Sequence, residues 1–482
     1  MRQNKNEEQN RININTQNKD DLEEKNEHKF EIKAERKISL SETSADESIS
    51  FHYNGVLAAN DFEHTKLITP VLFKQFTETS PPKSILVHIP DKEVFMSTLH
   101  PAAFLFEDVT DEKEVKKCFD RLFDELRERN IELITVRDAL KLNPDSLRKL
   151  AFESLNYKID ENYKDYSNDK FNEYLSDKYK SEVISKLSED QLIDIVLTNP
   201  TYTLKPTNLN TFIEPSSTSF NPLGNLIFCR DQQITTQKGV VIGRARSSQR
   251  AGEHKVMKTV FENLKSNLLG VLTEEYDKNA FLEGGDFYVA KKDLSLLGVG
   301  LRTSIKGAEY LMSNDFLGTR YLAVVYDNED LDQQRMHLDT YFNFLNDKYV
   351  IVLDFDEVQT HYENKKIGRK VYLFDNDPNA KKINSDDDKV INEAGNYKLI
   401  KIYEKFYDFL EEKGYKMIKV THEQQENYLI NFLNIGNNTI LSVTDELKEV
   451  VKNTGVNVIT LEFRQILNMY GALHCITQVS RI

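Results

Sequence analysis

Apolar and polar residues follow two periods along this chain, and together they predict a mixed α/β protein. Apolar runs at 84–89 and 131–136 indicate β-strands, and residues 111–129 between them carry apolar side chains at helical spacing. The same rhythm resumes after Asn221, with helical patterns between several strand-like segments: 225–228, 239–242, 287–289, 296–300, 321–325, 349–353, 417–420, 439–443 and 456–461. Because any α/β fold gives such a pattern, periodicity alone suits a doubly wound sheet as well as a propeller.

Two stretches depart from this rhythm. Residues 1–50 are rich in Asn, Gln, Glu, Lys and Ser, and they predict a disordered tail because they offer too little apolar surface to offset the entropy of ordering. Residues 143–205 show helical spacing without a strand signal, and Ser188 with Gln191 has the form of a capping box at a helix start. We therefore predict an all-helical insertion at 143–205 within an α/β domain that spans 51–482.

Charge and composition narrow the class of protein. The 482 residues include 63 Lys and Arg against 78 Asp and Glu, a net charge of -15, which argues against a nucleic-acid-binding surface and is compatible with attracting a cationic substrate. The apolar share of 39% is enough for a sizeable core. The chain has no run of about 18 apolar residues and its N-terminus is polar, so we expect a cytoplasmic protein with no membrane contact.

The chain contains three cysteines, Cys118, Cys229 and Cys475, and they lie far apart without a C-x-x-C pair. A disulfide framework or a cysteine-rich zinc site is therefore not expected, and a reducing compartment is. Cys118 lies on the apolar face of the predicted helix at 111–129, as an inert core thiol does. Cys475 follows His474 in the last dozen residues, and on its own it also suits a buried structural thiol.

Three segments upstream carry groups able to act with a thiol. His337 and Asp339 stand two positions apart, so on an extended segment they project to the same side. Glu283 precedes a glycine pair, which permits a tight turn or a close backbone approach. Asp231 closes the strand-like segment 225–231. In isolation each of these segments is also compatible with an ordinary turn or a solvated surface.

Taken together and in this order, these segments resemble the arginine deiminases, hydrolytic members of the guanidine-modifying superfamily whose fold is the five-bladed α/β-propeller called the pentein. The resemblance covers roughly residues 52–482, and the predicted helical insertion is similar to one that separates arginine deiminases from agmatine deiminases and dimethylarginine hydrolases. The matching segments are Asn225-Leu226-x-Phe228-x-Arg230-Asp231, Leu282-Glu283-Gly284-Gly285-Asp286, Met336-His337-Leu338-Asp339-Thr340 and His474-Cys475.

The resemblance implies a hydrolase of arginine catabolism that converts L-arginine to citrulline and ammonia. A guanidinium carbon is a poor electrophile, so Cys475 would attack it as a thiolate and form a covalent thiouronium intermediate. His337 would protonate the departing ammonia and then deprotonate the hydrolytic water, with the help of Glu283. The implied substrate contacts are Asp231 and Asp339 at the guanidinium, Arg250 at the α-carboxylate, Asn225, and Phe228 against the aliphatic part.

The resemblance also implies that no metal ion or organic cofactor is needed and that the chain forms a homo-oligomer. Asp286 and Arg302 are expected to be structural. Cys229 would face away from the catalytic residues, because strand alternation at 225–231 turns it to the opposite side.

The segment before Cys475 departs from the family, where an arginine and three glycines precede the His-Cys pair. Here the arginine is Tyr470, and two of the glycines are Ala472 and Leu473. Losing one charge-assisted contact to a carboxylate costs about 1.5–3 kcal/mol, or roughly 10- to 100-fold in affinity. Larger side chains in place of glycines would strain a loop that needs positive φ or block its closure.

These departures keep other functions open. One is a related deiminase for another guanidine, such as agmatine or a peptidyl arginine, and another is an amidinotransferase, which passes the same intermediate to an amine. A third is a catalytically silent structural or binding protein on the same fold. Retention of buried carboxylates that face a cation argues against the silent protein, because unpaired buried charges are costly.

Overall fold

The computed structural model describes residues 70–482, except 210, 328, 362–368 and 388–389. The tail predicted at 1–50 lies outside the described residues. The described part of the chain is a mixed α/β structure, as the sequence predicted. Its strands are β1 (Ser84–Val87), β2 (Glu132–Thr135), β3 (Asn156–Ile159), β4 (Pro200–Pro206), β5 (Ile213–Phe220), β6 (Gln233–Thr235), β7 (Val240–Ile242), β8 (Leu268–Val271), β9 (Phe287–Lys291), β10 (Leu294–Val299), β11 (Tyr321–Tyr326), β12 (Phe342–Phe344), β13 (Tyr349–Leu353), β14 (Lys370–Asp375), β15 (Glu393–Ala394), β16 (Tyr397–Tyr403), β17 (Lys416–Val420), β18 (Leu433–Asn434), β19 (Thr439–Ser442), β20 (Asn457–Thr460) and β21 (Gln478–Ser480).

The α-helices begin at side-chain caps in several places, among them Asp111 before α2 and Ser188 with Gln191 before α7, where the predicted capping box is confirmed. They are α1 (Lys92–Thr98), α2 (Glu112–Arg127), α3 (Val136–Lys141), α4 (Pro144–Ser154), α5 (Asp169–Leu175), α6 (Asp177–Ser185), α7 (Glu189–Thr198), α8 (Ala251–Asn263), α9 (Ile305–Ser313), α10 (Phe355–His361), α11 (Phe406–Glu412), α12 (His422–Glu426), α13 (Glu446–Val451) and α14 (Arg464–Leu467).

One three-stranded topology recurs five times. In each unit the first strand pairs antiparallel with the second, and the second pairs parallel with the third. A parallel pair needs a crossover, and helical segments supply it, as α8 does between β7 and β8. The units are β6-β7-β8, β9-β10-β11, β12-β13-β17, β18-β19-β20 and β21-β1-β2. The last unit joins the final strand to the first strand of the described chain.

The remaining strands add to this pattern or lie outside it. β14, β16 and β15 extend the sheet of β9, β10 and β11 to six strands. β3, β4 and β5 form a separate sheet. The prediction of an all-helical insertion at 143–205 was therefore wrong, since β3 and β4 lie within it beside α4 to α7. These strands are half-exposed and carry no apolar run, and their pairing depends on β5, which follows the predicted range.

The strand predicted at 225–228 was also wrong, because Gly224–Ile227 is a 3₁₀ helix. Side chains form hydrogen bonds with the backbone of this segment, in place of the bonds that a β-ladder would supply. The carbonyl of Asn225 accepts hydrogen bonds from Gln232 and Arg250 as well as from the Phe228 amide. Cys229 nevertheless lies in the apolar core rather than among the polar residues nearby.

Among the described residues, three apolar cores pack the units together. One lies between the sheets of β12 and β10 and helix α11, a second joins β1 and β7 to helices α3, α4, α7 and α8, and a third packs β9 to β11 against α9. Within the described residues, no helix is long and apolar enough to cross a membrane.

Candidate active site

Each of the five units enters its first strand through a short segment, and these entry segments meet. The entry segments of β6, β9, β12, β18 and β21 carry, respectively, 225–231, Glu283–Asp286, His337–Asp339, Asn431 and His474–Cys475. Hydrogen bonds and ion pairs join each segment to at least one other. The repeated topology thus brings residues from more than 200 positions apart to one buried site.

Cys475 is buried and its sulfur lies among polar groups of three other units. The side-chain amide of Asn431 donates a hydrogen bond to Sγ at 3.0 Å, and Sγ lies 3.5 Å from Oδ2 of Asp339. Burial, followed by the charges of Asp339 and Asp231, raises the pKa of the Cys475 thiol well above its ordinary value. These side chains alone favour the neutral thiol, so a cation beside the sulfur is needed to favour the thiolate.

His337 is fully buried against carboxylates. Its Nε2 lies 2.9 Å from Oε2 of Glu283, and its Nδ1 lies 3.9 Å from Oδ1 of Asp231. Burial opposes the charged ring, but the carboxylates of Asp231 and Glu283 outweigh it and raise the pKa of His337 to about 9. The same contact holds the pKa of Glu283 below its ordinary value against the effect of burial. At neutral pH the pair is therefore an imidazolium and a carboxylate, and the imidazolium has a proton to give.

Arg250 lies within the site and is itself bound by acidic groups. Its Nη1 donates to Oδ2 of Asp231 at 2.8 Å, its Nε donates to Glu253 at 3.0 Å, and its Nη2 donates to the carbonyl of Asn225 at 3.3 Å. The side-chain amide of Asn225 donates to the carbonyl of Phe104 at 3.0 Å. Asn225 and Arg250 thus lie at the edge of the site. Their hydrogen bonds go to other residues of the protein and stabilise the wall of the site.

Three buried polar atoms around the thiol have no hydrogen-bond partner among the described residues: Oδ1 of Asp231, Oδ1 of Asp339 and Nδ1 of His337. An unsatisfied buried acceptor costs about 1–3 kcal/mol, and more when it is charged. Two such oxygens need donors on a cation, and a guanidinium supplies several N–H groups in one plane. A metal ion is the other cation that fits, because Asp231, Glu283 and His337 offer ligand atoms within 4.8 Å of one another.

A buried chain of polar side chains lies behind Asp339. Nδ1 of His474 lies 2.7 Å from Oδ2 of Asp339, and Nε2 of His474 lies 3.5 Å from Oε1 of Glu78. The ring of Tyr288 stacks on His474 with centroids 5.2 Å apart. Burial would raise the pKa of Asp339, but the hydrogen bond from His474 holds it below its ordinary value. One oxygen of Asp339 is thereby anchored while the other stays available.

A narrow cavity leads to Cys475 and is lined by Asp231, Phe228 and Arg302, among others. Arg302 was predicted to be structural, yet it forms part of this lining, with Nη2 bonded to Gln333 at 2.9 Å and its Nε without a partner among the described residues. Two equal intervals in the sequence are the signal that indicates Arg302 as a site residue. Arg250 follows Asp231 by 19 residues, and Arg302 follows Glu283 by the same interval.

The segment before Cys475 accommodates its unusual residues. Tyr470 takes the left-handed backbone conformation, with φ of +63°, whereas Ala472 and Leu473 do not and are fully buried. The strain expected at the replaced glycines therefore falls on Tyr470 instead. Gly471 has to remain a glycine, because a Cβ there would lie 2.3 Å from the ring of Phe228.

Comparison with known proteins identifies the family. The chain belongs to the arginine deiminase family, whose sequence model matches residues 102–481. It is 23% identical over 424 residues to arginine deiminase 1 of Staphylococcus epidermidis, covering 82% of this chain and 95% of that one. It is 26% identical over 336 residues to the arginine deiminase of Halobacterium salinarum, covering 53% of this chain and 64% of that relative, slightly under two thirds.

Among solved structures, the chain is similar to the substrate-bound N-terminal domain of ArgZ, an arginine dihydrolase from the ornithine-ammonia cycle in Cyanobacteria. The identity is 14%, the TM-score is 0.47, and the match covers 82% of this chain and 97% of that one.

Proposed function

We propose that this protein is a guanidine hydrolase that converts L-arginine to citrulline and ammonia through a covalent intermediate on Cys475. One observation carries the proposal. The buried oxygens Oδ1 of Asp231 and Oδ1 of Asp339 have no hydrogen-bond partner in the part of the chain that the structure describes. A guanidinium would satisfy both oxygens and would place its carbon next to the sulfur.

The first half of the reaction uses the charge of the substrate. The bound guanidinium lowers the pKa of the Cys475 thiol, whose proton is released to solvent, and the S–C bond forms. The imidazolium of His337 gives its proton to one nitrogen of the tetrahedral adduct. That C–N bond breaks, ammonia leaves, and an S-alkylthiouronium remains on Cys475.

The second half consumes one water molecule. Neutral His337 takes a proton from the water, the oxygen bonds to the amidino carbon, and the C–S bond breaks with return of the electron pair to sulfur. Loss of a proton leaves the ureido group of citrulline. Glu283 holds His337 at 2.9 Å throughout and stabilises its charged form.

The far end of the substrate would meet the arginines of the cavity wall. Nε of Arg302 has no hydrogen-bond partner among the residues that the structure describes, whereas Arg250 is already bonded to Asp231, Glu253 and Asn225. We therefore assign the α-carboxylate to Arg302 as well as Arg250. Tyr470 supplies no charge at this end, so weak binding of L-arginine is expected.

We also propose that the five units close into a five-bladed pentein propeller. The shared strand order supports this arrangement, and so does the pairing of β21 with β1, which joins the last unit to the first.

The decisive test is release of citrulline and ammonia from L-arginine by the full chain, with Cys475→Ala as the control. Agmatine and a peptidyl arginine are assayed in parallel. We expect product from L-arginine that disappears in the variant. A folded protein that releases no product from any of the three guanidines would overturn the proposal and favour a catalytically silent role for the fold.

A further inference from the structure

Cys475 is reached by two cavities rather than one. The first contains the charged residues described above. The second approaches the sulfur on the side of Asn431. Gln333, Met336 and Tyr470, besides Cys475 itself, line both cavities and so lie where the two meet.

The two cavities differ in chemistry. Asp231, Arg250 and Arg302 line the first cavity. Of the described residues that line the second, none is an acid, a lysine or an arginine, and its polar groups belong to Gln333, Gln334, Thr340, Gln425, Tyr428, Asn431, Tyr470 and Cys475. A guanidinium or a carboxylate would lose its hydration there without an opposite charge. The second cavity therefore suits small neutral molecules that form hydrogen bonds.

Gln425 gives this cavity a specific acceptor. The residue is 4% exposed, and its Nε2 donates to the carbonyl of Gln334 at 2.8 Å. Its Oε1 has no partner among the described residues. Water and ammonia both have N–H or O–H groups to donate to that oxygen.

We propose that the second cavity is a separate passage through which water reaches the thiouronium carbon, with Gln425 as the group that binds this water on the way. The inference rests on the proposed function. In the intermediate, the amidino group stays against Asp231 and Asp339 while the aliphatic chain fills the first cavity. Water then has to arrive from the other side of the sulfur.

The passage predicts a specific kinetic defect. Capture of the guanidine and formation of the S–C bond occur from the first cavity, whereas hydrolysis needs the second. Gln425→Leu should therefore lower kcat by about tenfold and lower KM with it, leaving kcat/KM within about twofold of the wild type. The covalent adduct on Cys475 should accumulate and appear in the intact mass of the acid-quenched protein.

Gln237→Leu is the matched control. Gln237 also donates its Nε2 to a backbone carbonyl at 2.8 Å, that of Lys292, and it lines neither cavity. It should leave kcat, KM and the adduct level unchanged. Gln334→Phe is a second variant that narrows the passage from a half-buried position, should Gln425→Leu fail to fold.

The outcomes separate this inference from the proposed function. Two results would refute the passage alone, provided that the wild type turns over. One is a Gln425→Leu variant with unchanged kcat. The other is a variant that loses kcat and kcat/KM equally and shows no adduct. A wild type without turnover on any guanidine would overturn the proposed function, and the passage with it. Accumulated adduct with unchanged kcat/KM would support both.

Discussion

Nδ1 of His474 lies 2.7 Å from Oδ2 of Asp339, and both side chains are completely buried. This contact fixes the carboxylate that stands 3.5 Å from the sulfur of Cys475. Cys475 and His474 therefore both contact Asp339. The sulfur of Cys475 lies beside the carboxylate, and the ring of His474 holds the carboxylate in place.

Removing the anchor should change both stability and pH dependence. His474→Leu leaves Asp339 buried without its partner, which costs about 3–5 kcal/mol of unfolding free energy. The pKa of Asp339 should then rise, so that kcat/KM falls most at low pH and partly recovers as the pH increases. His474→Asn retains a donor near Nδ1 and should keep more of the activity at pH 6.

The matched control for this experiment is His88→Leu. His88 forms a similar buried pair, with Nε2 at 2.9 Å from Oε1 of Glu93, away from Cys475. It should lose stability without any change in the pH profile of kcat/KM. Identical pH profiles for the Leu and Asn variants of His474 would contradict the anchoring role.

Asn431 is expected to stabilise the thiolate. Its Nδ2 donates to Sγ of Cys475 and to the carbonyl of Asp339, and its Oδ1 accepts from the Cys475 amide at 3.3 Å. Asn431→Asp keeps the shape but replaces the donor with an acceptor that is negatively charged. We expect kcat/KM to fall by about 10- to 100-fold, the effect of losing a hydrogen bond to a charged group. Alkylation of Cys475 should also shift to higher pH.

Asn434→Asp provides the comparison for Asn431. Asn434 is a buried asparagine whose Nδ2 donates to the carbonyls of Phe344 and Leu345, and it lies outside both cavities. This variant should lose stability but alkylate with the pH profile of the wild type. If alkylation of Cys475 had the same pH profile in both variants, Asn431 would not be stabilising the thiolate.

Sequence patterns identified the titratable part of this site because Cys475, His337 and the carboxylates are chemically distinctive and stand in recognisable segments. Asn431 carries no ionisable group and lies in the apolar stretch Leu429–Leu433, so only the contact with Cys475 reveals it. Apolar runs predicted ten of the strands in the described residues, and eleven, mostly short or half-exposed, were not predicted. The pairing of β3 with β4 and the 3₁₀ turn at Gly224–Ile227 depend on distant partners, which periodicity does not record.

His337 should make stability depend on pH. Its pKa in the folded protein is about 9, above the ordinary value of 6.5, so the folded state binds the proton more tightly. This contribution is fully present below about pH 6.5 and is lost as the pH rises through about 9. Urea unfolding is measured between about pH 7.5 and 9.5, above the pKa of Asp286, which burial raises to about 7.

We expect the unfolding free energy of the wild type to fall over that range by about 2 kcal/mol more than that of His337→Gln, because the buried thiols, whose pKa values are raised, lower the stability of both proteins alike. The variant also removes the imidazolium that lowers the pKa of Asp286, so Asp286→Asn and the double variant are measured alongside. A wild type as stable at the upper end of the range as at the lower end would show that His337 is neutral in the folded protein.

Tyr470 should limit the affinity for free L-arginine. It lines the cavity that leads to Cys475, at the position where the family resemblance has an arginine. Burial raises the pKa of the Tyr470 hydroxyl, and so do the nearby charges of Glu107, Asp332 and Glu426. Those acids favour a cation at this position and disfavour the carboxylate of a substrate there.

Tyr470→Arg should therefore lower KM for L-arginine by about 10- to 100-fold, the effect of one charge-assisted hydrogen bond. Agmatine has no α-carboxylate, so its KM should not improve, and the ratio of the two KM values isolates the contact. Tyr470→Met is the control that removes the ring without adding charge, and both variants keep a non-glycine residue at φ of +63°. If Tyr470→Arg improved both substrates equally, its effect would be a wider cavity rather than a carboxylate contact.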